Sequence, residues 1–140
     1  MKKLTLIACI VLVFAAGLLY FKSHTVVDIG KSTRFSKAEV QTAVDCVVTN
    51  FKSNFKGCDL LKIWYDENES DGEIVSYMTF GRGSINGVKK ENVIVLFSDF
   101  YVNPNGGDGS LNQNSIYSDF NWVLIRDSKT GNWRIDDSGY

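Results

Sequence analysis

Asp99 and Asp119 each stand in the middle of a stretch that otherwise reads as apolar or aromatic strand. Tyr101 lies beside the first, Tyr117 and Asn121 beside the second. A carboxylate held unpaired on such a face resists ionisation, and the raised pKa suits it to general-base work in a pocket. The candidate pocket is therefore Asp99, Tyr101, Tyr117, Asp119 and Asn121. The same positions equally suit ion pairs with Arg82, Arg126 or Arg134, or a rim open to water. Structural pairing of that kind is the default expectation.

Other chemistries find little support. His24 is the only histidine, and it lies in a linker, which removes the Ser-His-Asp and Cys-His hydrolases and most zinc sites. The acidic run at 66–72 starts like a calcium-binding loop. Its glycine comes one place late, however, and no glutamate stands at the twelfth position. Asp108, in the glycine- and asparagine-rich loop 103–115, has too few charged neighbours to hold calcium. No metal and no cofactor is expected. Cys46 and Cys58 lack the Cys-x-x-Cys spacing of a redox centre. In an oxidising compartment a disulfide between them becomes the expectation, provided the chain folds straight back along the helix that carries Cys46.

The compartment is read from the other end of the chain. Lys2 and Lys3 precede residues 4–21, an 18-residue run without a charge. As a helix it would cover about 27 Å, close to the hydrocarbon thickness of about 30 Å. Ala15 and Gly17 could mark a cleavage site, but cutting there would leave Leu18, Leu19, Tyr20 and Phe21 greasy, so an uncleaved signal anchor is favoured over a secreted product. Cys9 comes too early to be a lipidated cysteine. The positive-inside rule keeps Lys2 and Lys3 in the cytoplasm and puts the remainder outside. The expected organisation is a transmembrane signal anchor at 1–22, a linker at 23–34 and one extracytoplasmic domain at 35–140. From residue 23 onward there are 12 basic and 16 acidic residues, which argues against nucleic acid as a partner.

One long helix is written into 35–55. Ser36 and Glu39 form a capping box, and Phe35 and Val40 a hydrophobic staple. Val40, Ala43, Val44, Val47, Val48 and Phe51 make one apolar stripe. Everything after it reads as strand: 60–65, 73–81, 92–102, 116–126 and 133–136, with 66–72 as an acidic hairpin loop and Gly57 as helix terminator. Apolar residues on both faces of 92–102 mark a central strand, covered by the helix on one side and by curled sheet or a partner on the other. The fold class is α+β: one helix packed on a curved antiparallel sheet of about five strands. Trp64, Trp122 and Trp133 read first as core and second as a binding patch.

This order, closing in WVLIRDSKTGNWRIDDSGY, resembles the nuclear transport factor 2-like (cystatin-like) superfamily. In wording it is also similar to small exported Gram-positive proteins of unknown function. The resemblance covers roughly 35–140 and implies a bent sheet wrapped around an N-terminal helix, often with a cone-shaped pocket. Many members carry two or three helices where this chain offers one. Members with a single anchor include assembly subunits of conjugation and secretion machines; others are isomerases and dehydratases using a pocket aspartate. The expectation is a non-enzymatic interaction or accessory domain, bound to the membrane through 4–21 and to a protein partner or a second copy of the chain. The rival is a small-molecule pocket built on Asp99 and Asp119.

Overall fold

The computed structural model describes residues 24–140, so the expected anchor at 4–21 lies outside the described residues. Among the described residues no helix is long and apolar enough to cross a membrane. The chain runs β1 (Val26–Ile29), α1 (Lys37–Asn54), β2 (Cys58–Tyr65), α2 (Glu67–Phe80), β3 (Val93–Val102), β4 (Ser115–Ile125) and β5 (Arg134–Gly139), with two short 3₁₀ turns between α2 and β3. The five strands form one sheet in chain order. β1 pairs parallel to β2 and every other pair is antiparallel, so the sheet is mixed.

Helix α1 follows from its residues as expected. Ser36 Oγ accepts from the Glu39 N–H, and the Glu39 carboxylate accepts from the Ser36 N–H at 2.8 Å. Val40, Ala43, Val44, Val47 and Phe51 are buried against Leu60, Ile63, Ile94, Leu96, Phe100, Trp122 and Leu124 of the sheet.

Three expectations need correction. The acidic loop at 66–72 and the strand at 73–81 are together the second helix, α2. Asp66 caps it by accepting from the Asn68 and Glu69 N–H groups at 2.9 and 3.0 Å, and Glu67 and Glu69 sit where the helix dipole favours negative charge. The buried positions Ser70, Ile74 and Tyr77 recur at three- and four-residue spacing, which a strand could not bury together. α2 therefore covers the second face of β3, packing Ile74 and Tyr77 on Val93, Val95, Phe97, Val123 and Ile125. Neither curled sheet nor a partner is needed there. Next, the linker at 23–34 contains β1, which adds a parallel edge to a sheet expected to be antiparallel. Finally, Cys46 and Cys58 are free thiols. Cys46 sits eight residues before the last residue of α1, or about 12 Å along its axis. The chain turns at Gly57, in the left-handed region at φ 67°. β2 does run back along α1 as far as Phe35, but Cys58 opens that run beside Phe55, at the end of the helix, and so never passes Cys46.

The long loop after β3 is tied down by backbone. A Cβ on Gly106 would lie 1.9 Å from Gly57 O, and this close approach lets Asn103 N–H reach Gly57 O at 3.0 Å and Gly107 N–H reach Lys56 O at 2.9 Å.

Ser70 shows how α2 is locked in register. It is fully buried, and its Oγ accepts from the Val95 N–H at 3.1 Å. The β2–β3 ladder ends at Trp64 and Phe97, so Val95 lies beyond it and the serine supplies the acceptor that β2 does not. Ser70→Ala is expected to cost about 1–3 kcal/mol, the penalty of an orphaned buried N–H. Urea unfolding measures it; a loss below about 0.5 kcal/mol would show that Val95 is satisfied some other way.

Candidate functional site

The five residues singled out in the sequence occupy four surroundings. Ser98 pairs with Phe120 and Phe100 with Tyr117, so β4 carries one residue more than β3 across this step. That is a β-bulge. Asp119 sits in it with φ 57°, and its N–H donates to Asp99 Oδ1 at 3.1 Å. The two aspartates are brought together, one holding the backbone of the other. Tyr101, two residues along β3, is 3.3 Å through its hydroxyl from Asn114 Oδ1 at the end of the loop. Tyr117 is turned to the α1 face, stacked on Phe100 at 5.2 Å, and its hydroxyl accepts from the Asn112 N–H at 2.8 Å. Asn121 lines a cleft of about 300 Å³ with Tyr77, Phe80 and Tyr140. The three arginines expected as aspartate partners bind elsewhere: Arg82 to Asp136, Arg126 to Glu39 and Arg134 to Asp127, at 3.4, 2.8 and 2.9 Å.

The most constrained polar group is one the sequence reading treated only as an ion-pair partner. Arg126 ends the apolar run of β4, and its side chain is 4% exposed. Its guanidinium lies 4.4 Å from the Trp133 ring centroid and 5.7 Å from that of Phe35, beside two rings that meet edge to face, and cation–π attraction to both holds it there. Nη1 donates to Glu39 Oε1 at 2.8 Å, whereas the buried Nε has no acceptor. Trp133 Nε1 donates to the Glu39 carbonyl at 3.1 Å, joining the end of the β4–β5 turn to the first turn of α1. The Ser36 backbone N–H holds the Glu39 carboxyl down at about 2 against the opposing effect of burial, with help from the Ser36 hydroxyl and Arg126. The signal in the sequence was an arginine closing an apolar strand with a tryptophan across the hairpin.

Two further networks surround α2. Glu67 accepts from the Ser32 and Thr33 hydroxyls and from the Thr33 and Arg34 N–H groups, clamping the β1–α1 connection to the start of α2. Those bonds, the Ser32 hydroxyl first, pull its carboxyl down to about 2. At the other end, the Tyr77 hydroxyl donates to Asp136 Oδ2 at 2.6 Å and accepts from Asn86 Nδ2 at 2.7 Å. Burial, then Asp136, pushes this phenol well above its usual range, so it remains a donor at neutral pH. Burial also pushes the Cys46 and Cys58 thiols up, which leaves both poor nucleophiles.

No curated protein and no solved structure matches the chain. Residues 34–139, from the residue before the α1 staple to the last residue of β5, match the domain of unknown function DUF4829, and the chain belongs to that family.

Proposed function

We propose that this protein is a membrane-tethered extracytoplasmic accessory domain that works by binding a partner rather than by catalysis. The observation that carries the reading is the uncharged run at 4–21 behind Lys2 and Lys3, which continues past the small residues where a signal would be cut. Binding finds support in apolar side chains left at the surface. Phe80 and Tyr140 are 86% and 76% exposed and line the same cleft. The polar networks read as positioning devices: Asp99 holds the β4 bulge, Tyr77 and Asp136 clip α2 to β5, and Glu67 ties β1–α1 to α2. The likeness to the nuclear transport factor 2-like superfamily belongs to the same reading. Its support is that α1 lies along one face of a sheet whose β2–β3, β3–β4 and β4–β5 pairings each carry a register break.

The rival reading, an isomerase- or dehydratase-type pocket on Asp99 and Asp119, draws on one observation. Asp119 holds a left-handed backbone that non-glycine residues rarely adopt, and such positions cluster at functional sites.

Carbonate washing of native membranes, followed by protease treatment of intact cells after wall removal, tests the tether. The expected result is full-length chain in the washed membrane pellet, degraded by external protease. Recovery of intact chain from the cytosol would overturn the proposal.

A further inference from the structure

We propose that the cleft between the second half of α2 and the β4–β5 ladder receives a lysine or arginine side chain that a partner protein carries next to an apolar one. The inference deepens the accessory-domain reading and rests on it, naming the chemistry of the partner. Glu73 and Phe80 stand on the α2 side of the cleft, and Val123, Asp137, Gly139 and Tyr140 on the sheet side. Val123 pairs with Asp137 and Asn121 with Gly139 across the ladder, and a Cβ on Gly139 would meet nothing within 4 Å, so the cleft stays open there. Its volume of about 300 Å³ is at the small end for a ligand pocket and suits one or two side chains rather than a large cofactor.

Charge selects a cation. Glu73 and Asp137 line the cleft and no lysine, arginine or histidine does, whereas four further clefts among the described residues each carry a lysine or an arginine. Neither carboxylate has an ion-pair partner among the described residues, where the pairs employ Asp71, Asp136, Glu39 and Asp127. Arg82, just past the end of α2, is turned to Asp136 at 3.4 Å. Uncompensated carboxylates in a concave wall hold a negative field that draws in a counter-charge. The field continues to the Tyr140 end, where burial, with Tyr117, Asp119 and Asp99, pushes the phenol up. A divalent metal ion wants more oxygen ligands than two carboxylates on separate elements supply, and no group of three or more such ligands gathers among the described residues.

The aromatic rings say what the cation is attached to. Phe80, on the last turn of α2, and Tyr140 border the cleft and are among the most exposed large apolar side chains. The fold gains little from a ring that buries so little of itself. A ring face attracts an ammonium or guanidinium and offers apolar contact to the residue beside it. A bare cation would use the carboxylates and leave the rings idle, and the same carboxylates repel an anionic lipid surface. A basic residue with an apolar neighbour engages both features.

The test uses the full 140-residue chain in uncharged detergent micelles, labelled with nitrogen-15, and follows the Gly81 and Gly139 amide signals. The probe is N-acetyl-arginyl-phenylalaninamide. Its citrulline counterpart keeps the shape without the charge, and N-acetylargininamide keeps the charge without the ring. The expected result is a saturable shift with the probe and at least roughly fivefold weaker binding of the other two. Glu73→Gln combined with Asp137→Asn removes both charges at positions water already reaches, and should weaken the probe about twofold to thirtyfold. Phe80→Ala should weaken it about twofold to fivefold and leave urea unfolding unchanged. Three results would each overturn the proposal: no saturable shift in the unmodified chain, either comparator binding as tightly as the probe, or binding unchanged in the doubly neutralised variant. A failed titration strikes this inference alone, because the carbonate wash reads residues 4–21 and not the cleft.

Discussion

Replacing Glu39 by alanine lowers the unfolding free energy by about 3–4 kcal/mol, whereas Ser36→Ala lowers it by only about 1 kcal/mol. Both residues belong to the capping box, so loss of the cap alone would make the two variants alike. They differ because Glu39 is also the acceptor for the guanidinium of Arg126, whose side chain is 4% exposed. Removing one partner of a buried pair leaves an uncompensated charge, at a cost of about 3–5 kcal/mol. The low end applies here, since Glu39 is itself 26% exposed and water can enter where it stood. Loss of the reciprocal cap adds roughly 0.5–1 kcal/mol. Urea unfolding of both variants decides the matter, and equal losses would sink the claim that Arg126 depends on Glu39.

The same carboxylate shapes the acid limb. Its pKa is depressed in the folded state, so its contribution is fully present above the unfolded carboxylate range, near pH 4.5, and is lost as pH falls toward about 2. Glu67 behaves with the same sign in the same window through its bonds to Ser32, Thr33 and Arg34. Glu39→Ala should therefore flatten the decline in stability between about pH 5 and pH 2 without removing it, because the Glu67 clamp still titrates.

Where the sequence spoke clearly, it did so through patterns that local physics alone decides. A Ser-x-x-Glu cap followed by a valine stripe can hardly be anything but a helix start, and α1 forms over Lys37–Asn54. The central strand and the last hairpin were legible because apolar residues on both faces, or a Gly-containing turn between tryptophans, leave few alternatives. Helix α2 was hidden by a different balance. Gly72 and a dense acidic turn read as a loop, and Ile74, Ser76 and Met78 against Val75, Tyr77 and Thr79 alternate weakly enough to pass for a strand. What made it a helix is tertiary: Ile74 and Tyr77 find an uncovered apolar sheet face beneath them, and propensity yields to that burial. β1 was invisible for a related reason, since a four-residue edge strand with exposed valines has no pattern apart from the neighbour it pairs with. The candidate site follows the same division. Asp99 and Asp119 could be seen as unusual, but the bulge that joins them depends on register. Arg126 could be seen as a charge, but its burial depends on Phe35 and Trp133 arriving from distant parts of the chain.

Trp122→Ala is expected to cost about 3–5 kcal/mol, as truncation of a buried tryptophan does, which is a large share of the roughly 5–15 kcal/mol that holds a domain folded. Trp122 is 1% exposed and lies between Phe51, Phe55 and Phe120, with ring centroids at 6.3, 5.3 and 5.2 Å. It is the point where α1, the turn after it and β4 meet. Its indole also donates to Ser98 Oγ at 2.8 Å inside the core, so two effects are mixed in the alanine variant. Trp122→Phe separates them: most of the apolar bulk stays while the Ser98 hydroxyl loses its donor, a change worth about 1–3 kcal/mol. If packing dominates, phenylalanine recovers more than half of the alanine loss; if the buried hydrogen bond dominates, the two variants are nearly equal. Urea unfolding followed by far-ultraviolet circular dichroism, which does not depend on the missing fluorophore, distinguishes them. The packing outcome is the expected one, because three aromatic neighbours outweigh a single neutral hydrogen bond with a net worth of about 1 kcal/mol.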